Sequence, residues 1–141
     1  MKILFLDIDG VVNCEFTHTN NPDSYFPIDP MMAFLVGRIV IATECEVVLS
    51  SSWRYNEESK EVVRKKVYPF IDITPMLLGG ASRGTEIKVW LDAHPEVTKY
   101  AILDDNRDFR LEQMPNFFHC PWDTGLTEEI ANKVIEHLNA S

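Results

Sequence analysis

The chain opens on an apolar run, Ile3-Leu4-Phe5-Leu6, that is too short for a helix and stops at Asp7-Ile8-Asp9-Gly10. A short apolar run closed by a turn signal reads as a strand covered on both faces. Two later runs have the same form, Glu46-Val47-Val48-Leu49-Ser50 and Tyr100-Ala101-Ile102-Leu103. Between the first two, Asp29-Pro30 supplies an N-cap and a proline at the first helical position. The helix it starts runs to about Thr43. Met31, Phe34, Leu35, Ile39 and Ile41 make it apolar around most of its circumference, which predicts deep packing against a sheet. Gly37 within it is expected to mark a close contact.

The polar helix after the second strand starts at Asn56 and ends in Arg64-Lys65-Lys66, cations suited to a helix C-terminus. Thr85 is expected to cap a helix whose Ile87, Trp90 and Leu91 share a face, with Gly79–Gly84 a flexible loop before it. Thr127 caps the last helix, with Glu128 and Glu129 in its positive first turn. Weaker signals predict an edge-like strand at Phe70–Ile73, limited by Pro75, a short helix at Arg107–Met114, and a strand at Phe117–Cys120. Residues 13–28 read as a loop, with a short hairpin begun by Val11-Val12. Strands and helices alternate throughout, which predicts a doubly wound, Rossmann-like α/β three-layer sandwich with a mainly parallel sheet.

A length of 141 residues fits a single domain spanning 1–141. A formal charge of −9 makes the general surface a poor partner for a nucleic-acid backbone or an anionic membrane, and suggests carboxylates gathered around a metal. Cys14, Cys45 and Cys120 are far apart and odd in number, so neither a disulfide framework nor a zinc site is expected. No run is long and apolar enough for a membrane span. The expectation is a soluble, cytoplasmic protein with no obligate protein partner.

In doubly wound sheets ligands bind beyond the carboxyl ends of the strands. Three strands here end in polar clusters: Asp7/Asp9, Ser50/Ser51 and Asp104/Asp105. The alternation of a strand puts Asp7 and Asp9 on one side, where two like charges call for a cation or a proton between them. Arg83 and Lys88 flank the start of the helix that leads into the third cluster. Taken singly, each cluster is as easily a turn or a cap. Together they fall at matching strand ends and in one order.

That order, with Asp7-Ile8-Asp9-Gly10-Val11, the strand ending at Ser50, a basic residue by the Thr85 helix, Ile102-Leu103-Asp104-Asp105 and Gly125-Leu126-Thr127, resembles the haloacid-dehalogenase-like (HAD) phosphatase superfamily. Leu49-Ser50-Ser51-Ser52-Trp53-Arg54 with Arg83-Gly84-Thr85-Glu86-Ile87 and Trp90-Leu91 looks like its small branch found in nucleic-acid end-repair proteins. The resemblance implies a Mg²⁺-dependent phosphomonoester hydrolase working through an aspartyl-phosphate. It makes Asp7 the nucleophile and Asp9 the acid and base for the leaving oxygen and for water. Ser50 becomes a phosphoryl-oxygen donor, and Arg83, ahead of Lys88, the balancing cation. Metal contacts would come from Asp7, the Asp9 carbonyl, and Asp104 and Asp105, with Asp105 the stronger candidate of that pair. Ser51 and Arg54 are placed to bind substrate, Arg54 by holding a second phosphate. Asp108 is expected to orient the basic residue or to stand behind the metal ligands.

The intervals 13–45 and 55–82 are too short for a lid with its own core, so an open site with a minimal cap or none is expected. Such a site would suit a nucleotide or a nucleic-acid terminal phosphate. His18, near the first strand end, reads as a solvated residue that could touch a substrate, and Trp53 reads as a packing residue. Two other classes compete: a two-metal nuclease using Asp7, Glu44, Asp104 and Asp108, and a receiver-like regulatory domain, which would need a phospho-acceptor Asp at its third strand.

Overall fold

The chain, described here over residues 1–141 in a computed structural model, builds one five-stranded sheet in the order β3-β2-β1-β4-β5, with every neighbouring pair parallel. The strands are β1 Lys2–Leu6, β2 Glu46–Leu49, β3 Asp72–Ile73, β4 Lys99–Asp104 and β5 Phe117–His119. Between them run α1 Glu15–Asn20, α2 Pro30–Thr43, α3 Glu57–Lys66, α4 Arg83–Asp92 and α5 Glu128–Asn139. Parallel pairing forces a crossover between neighbours and covers both sheet faces.

The central strand shows the result. Leu4 and Leu6 join a core with residues of α2, α3 and α5, while Ile3 and Phe5 pack on the other face against Ile87 and Trp90 of α4. This is the three-layer, doubly wound architecture expected. The expected caps on α2, α3 and α5 are present: Asp29 accepts from Met31 N, Asn56 from Glu58 N, and Thr127 from Ile130 N. The edge-like third strand is there too, at the two residues Asp72–Ile73.

Several local expectations are corrected. Val11 and Val12 form no hairpin: their N–H groups donate to the Ile8 carbonyl, both side chains are buried, and the short helix α1 follows within the supposed loop. Ser82, not Thr85, caps α4, accepting from Thr85 N at 3.1 Å, so Arg83 is the first helical residue. The segment after β4 is irregular until a 3-10 turn at Leu111–Asn116. Helix α2 buries only part of its apolar circumference, since Met31, Phe34 and Ile41 are exposed. Gly37 lies on that open side, where an added Cβ would touch nothing within 4 Å.

The strand ends are tied together by one side chain. The Arg54 side chain is 1% exposed. Its Nε donates to the Thr74 carbonyl (3.1 Å), and its Nη1 donates to those of Ser50 (3.0 Å) and Ser51 (2.9 Å). Its Nη2 donates to Glu86 Oε1 (2.8 Å), whose second oxygen accepts from Leu77 N (3.1 Å). One guanidinium thus joins the ends of β2 and β3 to α4. Removing one partner of a buried ion pair leaves an uncompensated charge. Arg54→Ala is therefore expected to lower unfolding free energy by about 3–5 kcal/mol in urea denaturation, and a midpoint equal to wild type would refute the tie.

Candidate active site

The hydrogen-bond ladders continue past the strands and set five residues side by side. Ser50 N donates to Leu6 O (3.0 Å), Asp7 N to Leu103 O (3.0 Å), Thr74 N to Leu49 O (3.0 Å) and Cys120 N to Asp104 O (2.9 Å). The carboxyl edge therefore reads Thr74, Ser50, Asp7, Asp104, Cys120 in space. Its centre holds Asp7 and Asp104, both buried, and Asp105, half-buried, with a carboxylate oxygen of each within 4.8 Å of the others. Gly10 makes this possible. Its backbone turns at φ 82°, and a Cβ there would lie 2.5 Å from Asp105 Oδ2.

Opposite them stands one cation. Arg83 Nη1 is 2.7 Å from Asp104 Oδ2 and 3.2 Å from Asp7 Oδ1. Its direction is fixed by Gly84, whose N–H donates to Asp108 O (3.2 Å) and whose carbonyl accepts from Gln113 Nε2 (2.8 Å). A Cβ at Gly84 would strike Gln113 and Phe109, so glycine lets the start of α4 close on the segment after β4. Burial, and then the neighbouring Asp104 charge, hold the Asp7 carboxyl well above the usual carboxylate range despite Arg83. Burial raises Asp105 as well. Burial opposes the Arg83 charge, but Asp7 and Asp104 outweigh it and raise the guanidinium further.

Three carboxylates against one guanidinium leave two negative charges in excess when all are ionised. A hard divalent cation taking few carboxylates and several waters fits that deficit. Asp104 already accepts from Asn106 N (2.9 Å) and from Arg83, which leaves Asp7 and Asp105 as the freer oxygen donors.

Asp9 sits just outside this group. Its Oδ1 accepts from Asn13 Nδ2 (3.0 Å) and its Oδ2 from Trp53 Nε1 (3.0 Å), with His18 Nε2 3.7 Å from Oδ1. Asn13 and Trp53 are the contributors that sequence reasoning missed. The available signal was the indole N–H, which needs a partner wherever a tryptophan is buried. The Ser50 hydroxyl is buried and has no hydrogen-bond partner, whereas the Ser51 hydroxyl accepts from Trp53 N (3.1 Å) and so braces the turn that carries the indole.

Four other residues are placed elsewhere. Arg54 has every donor engaged by protein acceptors, so it has none left for a second phosphate. Lys88 points along α4 to Asp92 (2.8 Å), away from the carboxylates. Asp108 meets Gly84 through its carbonyl while its side chain is exposed. Glu44 follows α2 and precedes β2, at the amino edge of the sheet, so the nuclease set is not assembled. The receiver alternative also fails: Asp72 is held by Trp90 Nε1 (2.8 Å), and the strand order differs from the 2-1-3-4-5 of that class.

A doubly wound parallel sheet with this strand order, with strand-end carboxylates facing a cation, is consistent with a HAD-like domain. The family model described as the HAD domain in Swiss Army Knife RNA repair proteins matches residues 3–131, and the chain belongs to that family. No curated protein and no solved structure matches it. The family carries a phosphatase-like function in general terms. No helix is long and apolar enough to cross a membrane.

The charge excess has a measurable consequence. A carboxyl raised by folding contributes stability below its unfolded pKa, near 3.9, and loses it as pH rises through the raised native value. In chelator-treated protein Asp7→Asn, which buries no charge, should therefore melt progressively higher than wild type as pH rises from the unfolded carboxyl value toward the raised native one. Mg²⁺ should close the gap by raising the wild-type melting temperature. A difference independent of pH would mean that Asp7 carries no such strain.

Proposed function

We propose that this protein is a Mg²⁺-dependent phosphomonoesterase acting through an aspartyl-phosphate on Asp7, with nucleotide or nucleic-acid terminal phosphates as substrates. The observation that carries the reading is the strand-end row itself: an unpartnered Ser50 hydroxyl, then Asp7, then Asp104, with Arg83 facing the two carboxylates.

Each group has a distinct task. Ser50 Oγ donates to a phosphoryl oxygen, and Arg83 balances phosphoryl charge as it builds. Asp7 attacks phosphorus, forming the acyl phosphate as the bond to the leaving oxygen breaks. Asp9 gives that oxygen a proton, then takes one from the water that hydrolyses the phosphoenzyme, releasing phosphate and restoring both carboxyls. Each carboxylate oxygen has a second lone pair, so Asp9 can carry a proton while Asn13 and Trp53 hold it. Asp7, Asp105 and the Asp9 carbonyl would hold Mg²⁺, with Asp104 behind them anchoring Arg83. When bound, the metal would screen the repulsion between the Asp7 carboxylate and a phosphate dianion.

The substrate class rests on access and on the family. Between β1 and α2 the one helix is the six-residue α1, and between β2 and α4 lie a four-residue 3-10 turn at Ser52–Tyr55, α3 and a two-residue strand. With so little above the carboxyl edge, a phosphate on the end of a large molecule can enter. The family's description as a domain of RNA repair proteins favours a nucleic-acid end over a phosphosugar.

Hydrolysis of a generic aryl phosphate is expected to require Mg²⁺ and to disappear in Asp7→Asn; near wild-type turnover by that variant would rule out the covalent route. Asp9→Asn should slow turnover by about 10²–10⁴-fold and let labelled phosphoenzyme accumulate after acid quench. Trp53→Phe removes the donor to Asp9 but keeps a ring in place. It should lower kcat with little change in KM, and should add no further loss in an Asp9→Asn background. An additive loss in the double variant would show that Trp53 acts by another route.

A further inference from the structure

We infer that His18 and Trp122 form a stacking wall on the leaving-group side of Asp9 and bind the nucleobase attached to the scissile phosphate. The inference rests on the phosphatase reading above and adds a base-recognition subsite to it.

The placement follows from three links. Asp9 serves the leaving oxygen, so the first atoms beyond that oxygen lie next to its carboxyl. His18 Nε2 is 3.7 Å from Asp9 Oδ1, so the imidazole of α1 is what those atoms meet. The His18 ring in turn lies 5.0 Å from the Trp122 ring, centroid to centroid, tilted by 35°. Trp122 belongs to the connection after β5, and its carbonyl accepts from Glu15 N (3.0 Å), which pins that connection to the start of α1. The wall is therefore tied to α1 by backbone, and its His18 member stands next to Asp9.

Its exposure is what a ligand surface needs. Trp122 remains 43% exposed although its ring lies beside that of His18. The His18 side chain is 36% exposed although its Nε2, turned toward Asp9 Oδ1, is buried, so the rest of the ring remains open to a ligand. Charge points the same way. With a formal charge of −9, the protein cannot grip a phosphate backbone by counterion release. Stacking on aromatic faces can add affinity for a nucleic-acid end beyond the grip on its terminal phosphate, and it tolerates any base. Other exposed aromatic residues, Phe16 and Tyr55, lie on the connections that leave β1 and β2 at this same edge.

The test compares a nucleoside monophosphate with ribose phosphorylated at the same hydroxyl, so that only the base differs. Wild-type kcat/KM should favour the nucleotide by about five- to 150-fold, the range of one base–aromatic stack. Trp122→Ala should bring that ratio close to one, and Trp122→Phe should restore most of it. Melting curves on both variants check that they fold. Binding of the same two compounds to Asp7→Asn, measured by calorimetry, is read independently of turnover. A wild-type ratio near one, or a base preference that survives Trp122→Ala, overturns the wall. Base-dependent binding that vanishes in Asp7→Asn/Trp122→Ala, in a wild-type protein that hydrolyses neither compound, overturns the phosphatase reading and upholds the wall.

Discussion

Three carboxylates meet one guanidinium at the carboxyl ends of β1 and β4, and much of the molecule is arranged around that imbalance. Coulomb repulsion at such separations, with little water present, is large enough to force a proton or a cation into the group. The fold resists relaxing it. Asp7 and Asp104 are fixed by ladder hydrogen bonds, Asp105 is drawn in over a residue with no side chain, and Arg83 is directed by the contacts of Gly84. Strain of this kind is expected where charge is to be handled. A site that is poor for three carboxylates alone is a good one for the same carboxylates with a divalent ion.

Around this centre the supporting groups are mostly neutral donors. Asp9 is held by an amide and an indole rather than by a cation, so it stays outside the ion-pair network of Arg83. The indole belongs to a turn held by the Ser51 hydroxyl and next to the Arg54–Glu86 pair. Rigidity thus passes from a buried ion pair, through backbone carbonyls, to a side chain at the edge of the site. Buried ion pairs are weak evidence for stability, but they do define geometry. Here the pair fixes how the ends of β2, β3 and α4 meet.

The parts of the fold written in local chemistry were legible in the sequence: the continuous apolar strands, Asp29-Pro30 at the start of α2, Asn56 at α3 and Thr127 at α5. The grouping of Asp7, Ser50, Asp104 and Asp105 at one edge was legible because each follows directly on, or closes, an apolar run. What stayed hidden depends on tertiary contacts. Arg54 beside a serine run looks like an anion binder, and only the fold shows carbonyls and Glu86 taking every donor. Ser82 and Thr85 are both good caps, and the choice between them decides whether Arg83 lies in a loop or in the helix. Met31, Phe34 and Ile41 fit a buried helix equally well, yet the chain supplies no layer to cover them. Trp53 reads as packing until its N–H is traced to the Asp9 carboxylate in the turn after β1.

The sheet has its longest strands in the middle and its shortest at the rims, two residues in β3 and three in β5. Unpaired strand edges are templates on which a second chain can add itself, and a long flat edge invites runaway association. A rim of two or three residues offers too few ladder positions to hold such a visitor. The candidate site draws on the three central strands, because Ser50, Asp7 and Asp104 stand at their ends. The same economy that concentrates chemistry on the centre leaves the protein little backbone with which to aggregate.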